Sequence, residues 1–237
     1  MANPFFRFKK FVVYHDLCAM KVGTDGVLTG AWADVAECRS ALDIGTGSGL
    51  IALMLCQRSP NISIDAIDID QDAVRQARKN VDSSPFSDRI TVIHSDLSAY
   101  AESCWKKYDL IVSNPPFFGD SLKSPDARRS VARHSDVLPL DEMIRLSATM
   151  LEDNGRICFV YPIGYKEQIC QFANENKLHI ANLTTVHPTP HSDPKRILVE
   201  LTKEQATTEE CSLTIEEERH VYTDEFVSLV KDFYIKM

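Results

Sequence analysis

An α/β fold built around a mostly parallel sheet is what this sequence predicts, and three observations predict it. Apolar runs alternate with helical patterns along most of the chain, as βαβ units require. The stretch Ala41-Leu42 runs into Asp43-Ile44-Gly45-Thr46-Gly47-Ser48-Gly49 and then into the helical pattern Leu50-Ile51-Ala52-Leu53-Met54-Leu55, which makes a strand, a glycine loop and a helix. The run Tyr108-Asp109-Leu110-Ile111-Val112-Ser113 reads as a strand buried on both faces, and Asn114-Pro115-Pro116-Phe117 ends it in a stiff extended turn, since two prolines forbid both its continuation and an immediate helix.

The elements follow in order. Gly23 and Gly26, with Thr24-Asp25 between them, predict a turn with an N-cap, and Val27-Leu28-Thr29-Gly30-Ala31-Trp32 begins a helix whose small residues can pack closely on the glycine loop. After the first strand, loop and helix comes a second strand, Ile64-Asp65-Ala66-Ile67-Asp68-Ile69-Asp70. A helix follows from Gln71 to about Val81, with Asp70 as its N-cap. The third strand is Ile90 to His94, ending in Ser95-Asp96-Leu97, and the fourth is the run before Asn114. Residues 119 to 137 form a loop unusually long for a compact α/β domain, which suits a substrate loop or a segment disordered in isolation. Leu138-Pro139-Leu140-Asp141 opens a helix to about Met150, ended by Asn154-Gly155, and Arg156 to Tyr161 is a fifth strand. Tyr165 to Asn176 reads as helix. Leu178 to Val186 and Ile197 to Leu201 form a closing pair of strands joined by the loop His187 to Lys195. A short strand near Leu213-Thr214-Ile215 and a helix from Asp224 to Ile235 complete the chain.

Open α/β sheets place their sites at the carboxyl ends of the strands, and there the sequence puts its chemistry. The glycines let the backbone approach a ligand with no Cβ in the way, and the helix start adds amide donors. The pattern is D-x-G-x-G-x-G, neither G-x-G-x-x-G nor a phosphate loop ending in G-K-[ST]. Asp68 lies about one strand-helix-strand unit beyond the loop, where an acid takes the hydroxyls of a ribose. Asp96 could accept from the amino group of an adenine. At the fourth strand end, Asn114 and the prolyl carbonyls, Pro115 first, offer acceptors to an exocyclic amino group, and Phe117 can stack on a planar ring. A planar amide or an amino-purine fits this turn, and an ordinary Asn-Pro turn has the same residues. Each acid taken alone is also what a surface carboxylate looks like; the ordered set Asp43, Asp68, Asp96 and Asn114 on successive strand ends carries the argument.

Composition agrees with one domain spanning residues 1–237, in which residues 1–40 form an N-terminal extension. No apolar run approaches the roughly 18 residues that span a bilayer, and Met1 to Phe8 is too short and too charged for a secretory signal. The seven cysteines form no C-x-x-C pair, so reduced thiols in a cytoplasm are expected and a metal site is not. A formal charge of −8 excludes a protein that coats nucleic acid indiscriminately. Basic groups nevertheless gather at Arg7, Lys9, Lys10 and Lys21, and again at Lys123, Arg128, Arg129 and Arg133, while acids concentrate at Glu209, Glu210 and Glu216 to Glu218. That asymmetry suits one phosphate-rich partner docked at one face, and solvated surface charge would look alike.

The alternating glycine loop behind its acid resembles motif I of the class I S-adenosylmethionine-dependent methyltransferases. That resemblance implies a Rossmann-like, seven-stranded sheet of order 3-2-1-4-5-7-6, with an antiparallel last strand and helices on both faces. Phe8-Lys9-Lys10-Phe11 and the segment from Cys18 through Lys21-Val22-Gly23-Thr24-Asp25-Gly26 to Trp32 resemble the N-terminal signature of the bacterial tRNA1(Val) adenine-37 N6-methyltransferases. Ala132-Arg133-His134, Arg196-Ile197-Leu198 and Tyr222 to Tyr234 extend the match over nearly the whole chain. The family implies S-adenosylmethionine as methyl donor and N6-methylation of the adenosine 3′ of the anticodon in a valine tRNA. Lys21, Thr24, Asp43, Gly45, Gly47, Gly49, Asp68, Asp96 and Asn114 are then expected around the cofactor. Asn114, Pro115 and Phe117 are expected at the amine, and Lys9, Lys10, Arg128, Arg129 and Arg133 on RNA phosphates, in a monomer. Whether Thr24 and Asp25 touch cofactor or only cap a helix stays open. Phe117 stands where several adenine methyltransferases have tyrosine, and stacking needs only the ring. Protein-glutamine methyltransferases share the turn but carry a helical domain where only about 40 residues precede this glycine loop. Guanine-N2 rRNA methyltransferases bring a duplicated or extra RNA-binding domain, and a catalytically silent tRNA-binding protein has no need of the acids and glycines.

Overall fold

The computed structural model describes residues 3–18, 20–116 and 138–237. Two short strands, β1 (Phe5–Arg7) and β2 (Val12–Tyr14), pair as an antiparallel hairpin ahead of helix α1 (Thr24–Trp32). There follow β3 (Ser40–Ile44), α2 (Leu50–Arg58), β4 (Ser63–Asp68), α3 (Gln71–Asp82), β5 (Ile90–His94), α4 (Leu97–Ser103) and β6 (Tyr108–Ser113). Beyond the undescribed stretch lie α5 (Leu140–Met150), β7 (Leu151–Pro162), a single 3₁₀ turn (Ile163–Tyr165), α6 (Lys166–Glu175), β8 (His179–His187), β9 (Arg196–Thr202) and β10 (Glu209–Thr214). The small hairpin β11 (Glu216–Glu218) and β12 (Val221–Tyr222) leads into α7 (Asp224–Val230).

The central sheet has the order β10-β8-β9-β7-β6-β3-β4-β5. β3 to β7 are parallel to one another, and β9 is antiparallel to both β7 and β8. This is the expected order with an eighth strand, β10, added parallel to β8 at the edge, where the sequence shows its short apolar run Leu213-Thr214-Ile215. Alternate side chains leave each strand on opposite faces. Ala41, Leu110, Val112 and Leu198 therefore join a core layer with Val27, Leu53, Met54 and Val74 of α1, α2 and α3. Leu42, Ile111, Ile197 and Val199 join the other, with Met143, Ile144 and Ile169 of α5 and α6. Because β3 and β6 feed both layers, they sit at the centre, and the strand order reverses between them.

Three boundaries differ from expectation. The fifth parallel strand begins at Leu151, directly after α5, and Asn154-Gly155 lies inside it. The pairing of β6 with β7 slips there, from Tyr108↔Leu151 to Leu110↔Arg156, and a Cβ on Gly155 would fall 2.8 Å from Leu151 and 2.9 Å from the Tyr108 carbonyl. The glycine serves a strand irregularity. Helix α1 begins at Thr24, three residues earlier than expected. Helix α7 stops at Val230, and the residues after it turn back so that Phe233 and Tyr234 meet the N-terminal hairpin.

Candidate functional site

The site is assembled at the carboxyl edge of β5, β4, β3 and β6. Ladder pairing aligns Ile44 with Ile67 and Ser113, and Asp68 with His94, so motifs far apart in sequence end at one level. The Ser113 hydroxyl donates to the Ile44 carbonyl at 2.9 Å, fastening the strand before Asn114 to the strand before the glycine loop.

Gly45, Gly47 and Gly49 have φ of 68°, 56° and 81°, the left-handed region that a Cβ disfavours. The amides of Gly45 and Thr46 donate to the Ile67 carbonyl, and that of Gly47 donates to Asp68 Oδ2 at 2.8 Å. A Cβ on Gly45 or Gly47 would meet nothing within 4 Å, so the loop faces open space, whereas one on Gly49 would lie 3.5 Å from Ala77 of α3. Two glycines thus face a cleft and the third lets two helices approach.

Asp43 is wholly buried. Its Oδ2 accepts from the Thr46 hydroxyl at 2.7 Å and the Ala52 amide at 3.2 Å, while Oδ1 has no protein partner. Burial pushes its carboxyl from the ordinary 3.8 up to about 7, against the pull of those two hydrogen bonds. An orphaned carboxylate oxygen under an open glycine loop fits a ligand that brings a donor or a cation. Asp68 is also buried, with its carboxyl raised by burial, and it accepts from Asp70 at Oδ1 as well as from Gly47. A carboxylate has about four lone-pair positions, so ribose hydroxyls remain compatible. Asp70 caps α3 through the Asp72 amide, as expected. Asp96 is exposed and caps α4 through the Ala99 amide, a structural duty that sequence alone did not separate from adenine recognition. The Ser95 amide donates to the Asp68 carbonyl, which brings the ends of β4 and β5 together.

Asn114 is half-buried and Pro115 is buried at the end of β6. A Cβ placed on Gly26 of α1 would lie 3.6 Å from Asn114 Nδ2 and 3.1 Å from Leu50, and one on Gly30 would fall 2.9 Å from Met54 Sδ. Helix α1 therefore lies tightly over the start of α2, with its first turn beside Asn114. Thr24 is the first helical residue, and its neighbour Gly23 supplies no side-chain cap. The Asp25 carboxylate pairs with Arg196 Nε at 3.1 Å, which accounts for Asp25 without a ligand. Lys21 is exposed just before this turn.

Sequence reading missed two buried amides of α3. Asn80 donates to the carbonyls of Ser48 and Tyr14 and accepts from the Tyr14 amide, and Gln76 accepts from the Leu17 amide. Together they strap residues 14–17 to the glycine loop. Their signal was polarity at positions 76 and 80, on the same helical face as Ala73, Ala77 and Val81.

Lys9 and Lys10 are not brought to this cleft. Lys9 Nζ donates to the Lys231 carbonyl, and both lysines border a cavity of about 820 Å³ that also involves Asp34, Arg58, Asn61 and Asp232. Asp34, Arg58 and Asn61 lie at or just after the carboxyl ends of α1 and α2, at the opposite edge of the sheet from Asn114 because α2 runs away from the glycine loop, and Asp232 joins them from beyond α7. The mixed charge there also differs from a phosphate-binding surface. Phe117, Arg128, Arg129 and Arg133 lie outside the described residues. Among the described residues there is no metal-binding group of His, Cys, Asp or Glu, and no helix long and apolar enough to cross a membrane.

The family model described as methyltransferase small domain matches residues 27–178. A protein of Parabacteroides distasonis named tRNA1(Val) (adenine(37)-N6)-methyltransferase is 52% identical over 238 residues, covering 100% of each chain. The chain belongs to this family. A relative of the same name from Trichodesmium erythraeum is 45% identical, again over 100% of both chains. Among solved structures, a predicted O-methyltransferase of Agrobacterium tumefaciens superposes with a TM-score of 0.69 at 20% identity, covering 88% of this chain and 96% of that one. That likeness establishes the fold, a class I methyltransferase sheet.

Proposed function

We propose that the chain transfers the methyl group of S-adenosylmethionine to N6 of adenosine 37, beside the anticodon of tRNA1(Val). The observation that carries this reading is the placement of Asn114-Pro115 at the end of β6, where the strand order reverses, directly beside a glycine loop whose buried acid keeps an unpartnered oxygen. Full-length relatives bearing that name support it.

S-adenosylmethionine, when bound, supplies an already activated sulfonium methyl. The protein's work is therefore alignment and exclusion of water, worth up to about 7–11 kcal/mol in favourable cases. Gly45 and Gly47 would let the cofactor lie against the loop, Asp43 beneath it would hold the methionine end, and Asp68 would take the ribose hydroxyls. Asp96, through the oxygen that does not cap α4, meets the adenine edge. Lys21 and Thr24 would close the cleft from the start of α1, so the later part of the 1–40 extension covers the site of a single domain. The Asn114 carboxamide oxygen and the Pro115 carbonyl accept from the two amino hydrogens and turn the nitrogen lone pair toward the methyl. Neither is a base at neutral pH, so they orient without removing a proton; as the C–N bond forms the C–S bond breaks to leave S-adenosylhomocysteine, and the methylated nitrogen then sheds its extra proton to water. Phe117 holds the base flat, and Arg128, Arg129 and Arg133 hold phosphates around it. An anticodon-loop adenosine is largely unpaired, so extruding it costs only a few kcal/mol. A cytoplasmic monomer suffices for this chemistry.

The test is methyl transfer to bulk tRNA and, in parallel, to a glutamine-bearing release factor, with nucleosides resolved by mass spectrometry. N6-methyladenosine from valine tRNA is expected, and transfer to the protein alone would overturn the assignment. Asn114→Ala is expected to abolish turnover while cofactor affinity stays nearly intact.

A further inference from the structure

We propose that Asp25 and Arg196 are a positioning pair for the Asn114 carboxamide, a role that rests on reading Asn114 as the group that orients the acceptor amine. Helix α1 is anchored along its length, by close contact of Gly30 with Met54 and by apolar packing of Val27 and Leu28. Its first turn is less secured. Gly23 offers no side-chain cap, and among the described residues two side-chain interactions reach the turn: the Thr29 hydroxyl on the Asp25 carbonyl and the Asp25 carboxylate on Arg196. Arg196 opens β9, the antiparallel strand that starts at the carboxyl edge of the sheet between Pro162 of β7 and Val186 of β8. The pair thus ties the N-terminal segment to the far half of the sheet, across the mouth of the cleft. Behind the pinned turn lies Gly26, where a Cβ would stand 3.6 Å from Asn114 Nδ2, so this turn bounds the space beside the carboxamide with about a methyl's clearance. If the first turn shifts outward, that space widens and the carboxamide gains room to rotate.

Both side chains are about 30% exposed and share one contact, so such a pair adds little to global stability. Its loss should therefore change catalysis without unfolding the protein. Asp25→Asn, Arg196→Met and the exchanged pair Asp25→Arg with Arg196→Asp would be compared with wild type. The measurements are kcat and KM for valine tRNA, S-adenosylhomocysteine affinity by calorimetry, Tm, and the side-chain amide resonance of Asn114 in ¹⁵N-asparagine-labelled protein. Each single substitution is expected to lower kcat on the order of 10- to 100-fold, with KM and cofactor affinity within about threefold, as for a misplaced catalytic group. The Asn114 resonance should move in both, and the exchanged pair should recover much of the lost kcat. Full kcat in the single variants would overturn the proposal. So would a raised KM in Arg196→Met with Asp25→Asn unaffected, which would make Arg196 a phosphate contact. Should wild type itself methylate no tRNA, the functional reading fails separately. The amide resonance still decides the positioning claim, since an unchanged Asn114 signal in both variants would refute it.

Discussion

Asp43→Asn in the ligand-free protein is expected to gain stability relative to wild type as pH rises. The substitution keeps an acceptor for the Thr46 hydroxyl and the Ala52 amide but removes a carboxyl that burial has pushed from 3.8 to about 7. For a carboxyl raised in the folded state, the unfolded chain ionises first, so stability is lost as pH climbs between those two values and stays lost above them. The full cost of holding Asp43 ionised is on the order of 4 kcal/mol, of which well under half is incurred by pH 5 and nearly all by pH 8. Subtracting variant from wild-type unfolding free energies cancels the titrating groups that do not interact with Asp43, leaving Asp43 and its coupling to Asp68, and the difference should grow by roughly 2–3 kcal/mol between pH 5 and pH 8. Urea denaturation at several pH values measures it. A difference independent of pH would refute the reasoning. With S-adenosylmethionine present, wild type should recover stability at high pH and the variant should not, because only a carboxylate rewards a cation at the orphaned oxygen.

Further outcomes follow from the same site. Asp68→Ala releases the amides of Gly47 and Asp70, so it should cost about 1–3 kcal/mol and nearly abolish the rise in Tm on adding S-adenosylmethionine. An undiminished rise would remove the ribose role. Gly49→Ala forces a side chain to φ 81° against Ala77 and should destabilise by about 1–3 kcal/mol in chemical denaturation. Replacing Lys9 and Lys10 by Gln should leave tRNA affinity and its salt slope unchanged, while replacing Arg128, Arg129 and Arg133 should flatten the slope. A flattened slope for the lysine pair would return those residues to the RNA face.

Sequence reading succeeded where the physics is local. The D-x-G-x-G-x-G loop needs left-handed glycines, the run before Asn114 needs two apolar faces, and Asp70 caps a helix two residues on; each of these is legible within a few residues. The order of β3 to β9 followed from strand–helix alternation together with the family resemblance. What failed depended on partners distant in sequence. Asn154-Gly155 reads as a helix end until β6 is seen pressing against it. The duty of Asp25 lies with Arg196, 171 positions away, and that of Asn80 with Ser48 and Tyr14. Asp96 shows the remaining ambiguity, since one carboxylate can cap a helix with one oxygen and offer the other.

The two ends of the described chain are clasped. Phe8 bridges to Tyr234, the Lys9 amide donates to the Phe233 carbonyl, and Phe6 and Phe8 pack their rings on Tyr234. The hairpin held by this clasp leads straight into residues 14–17, which Asn80 and Gln76 lay along the glycine loop. Loosening one end therefore loosens the other: removal of the residues from Phe233 onward is expected to free the hairpin and speed amide hydrogen exchange in residues 14–17, more than 200 positions from the cut.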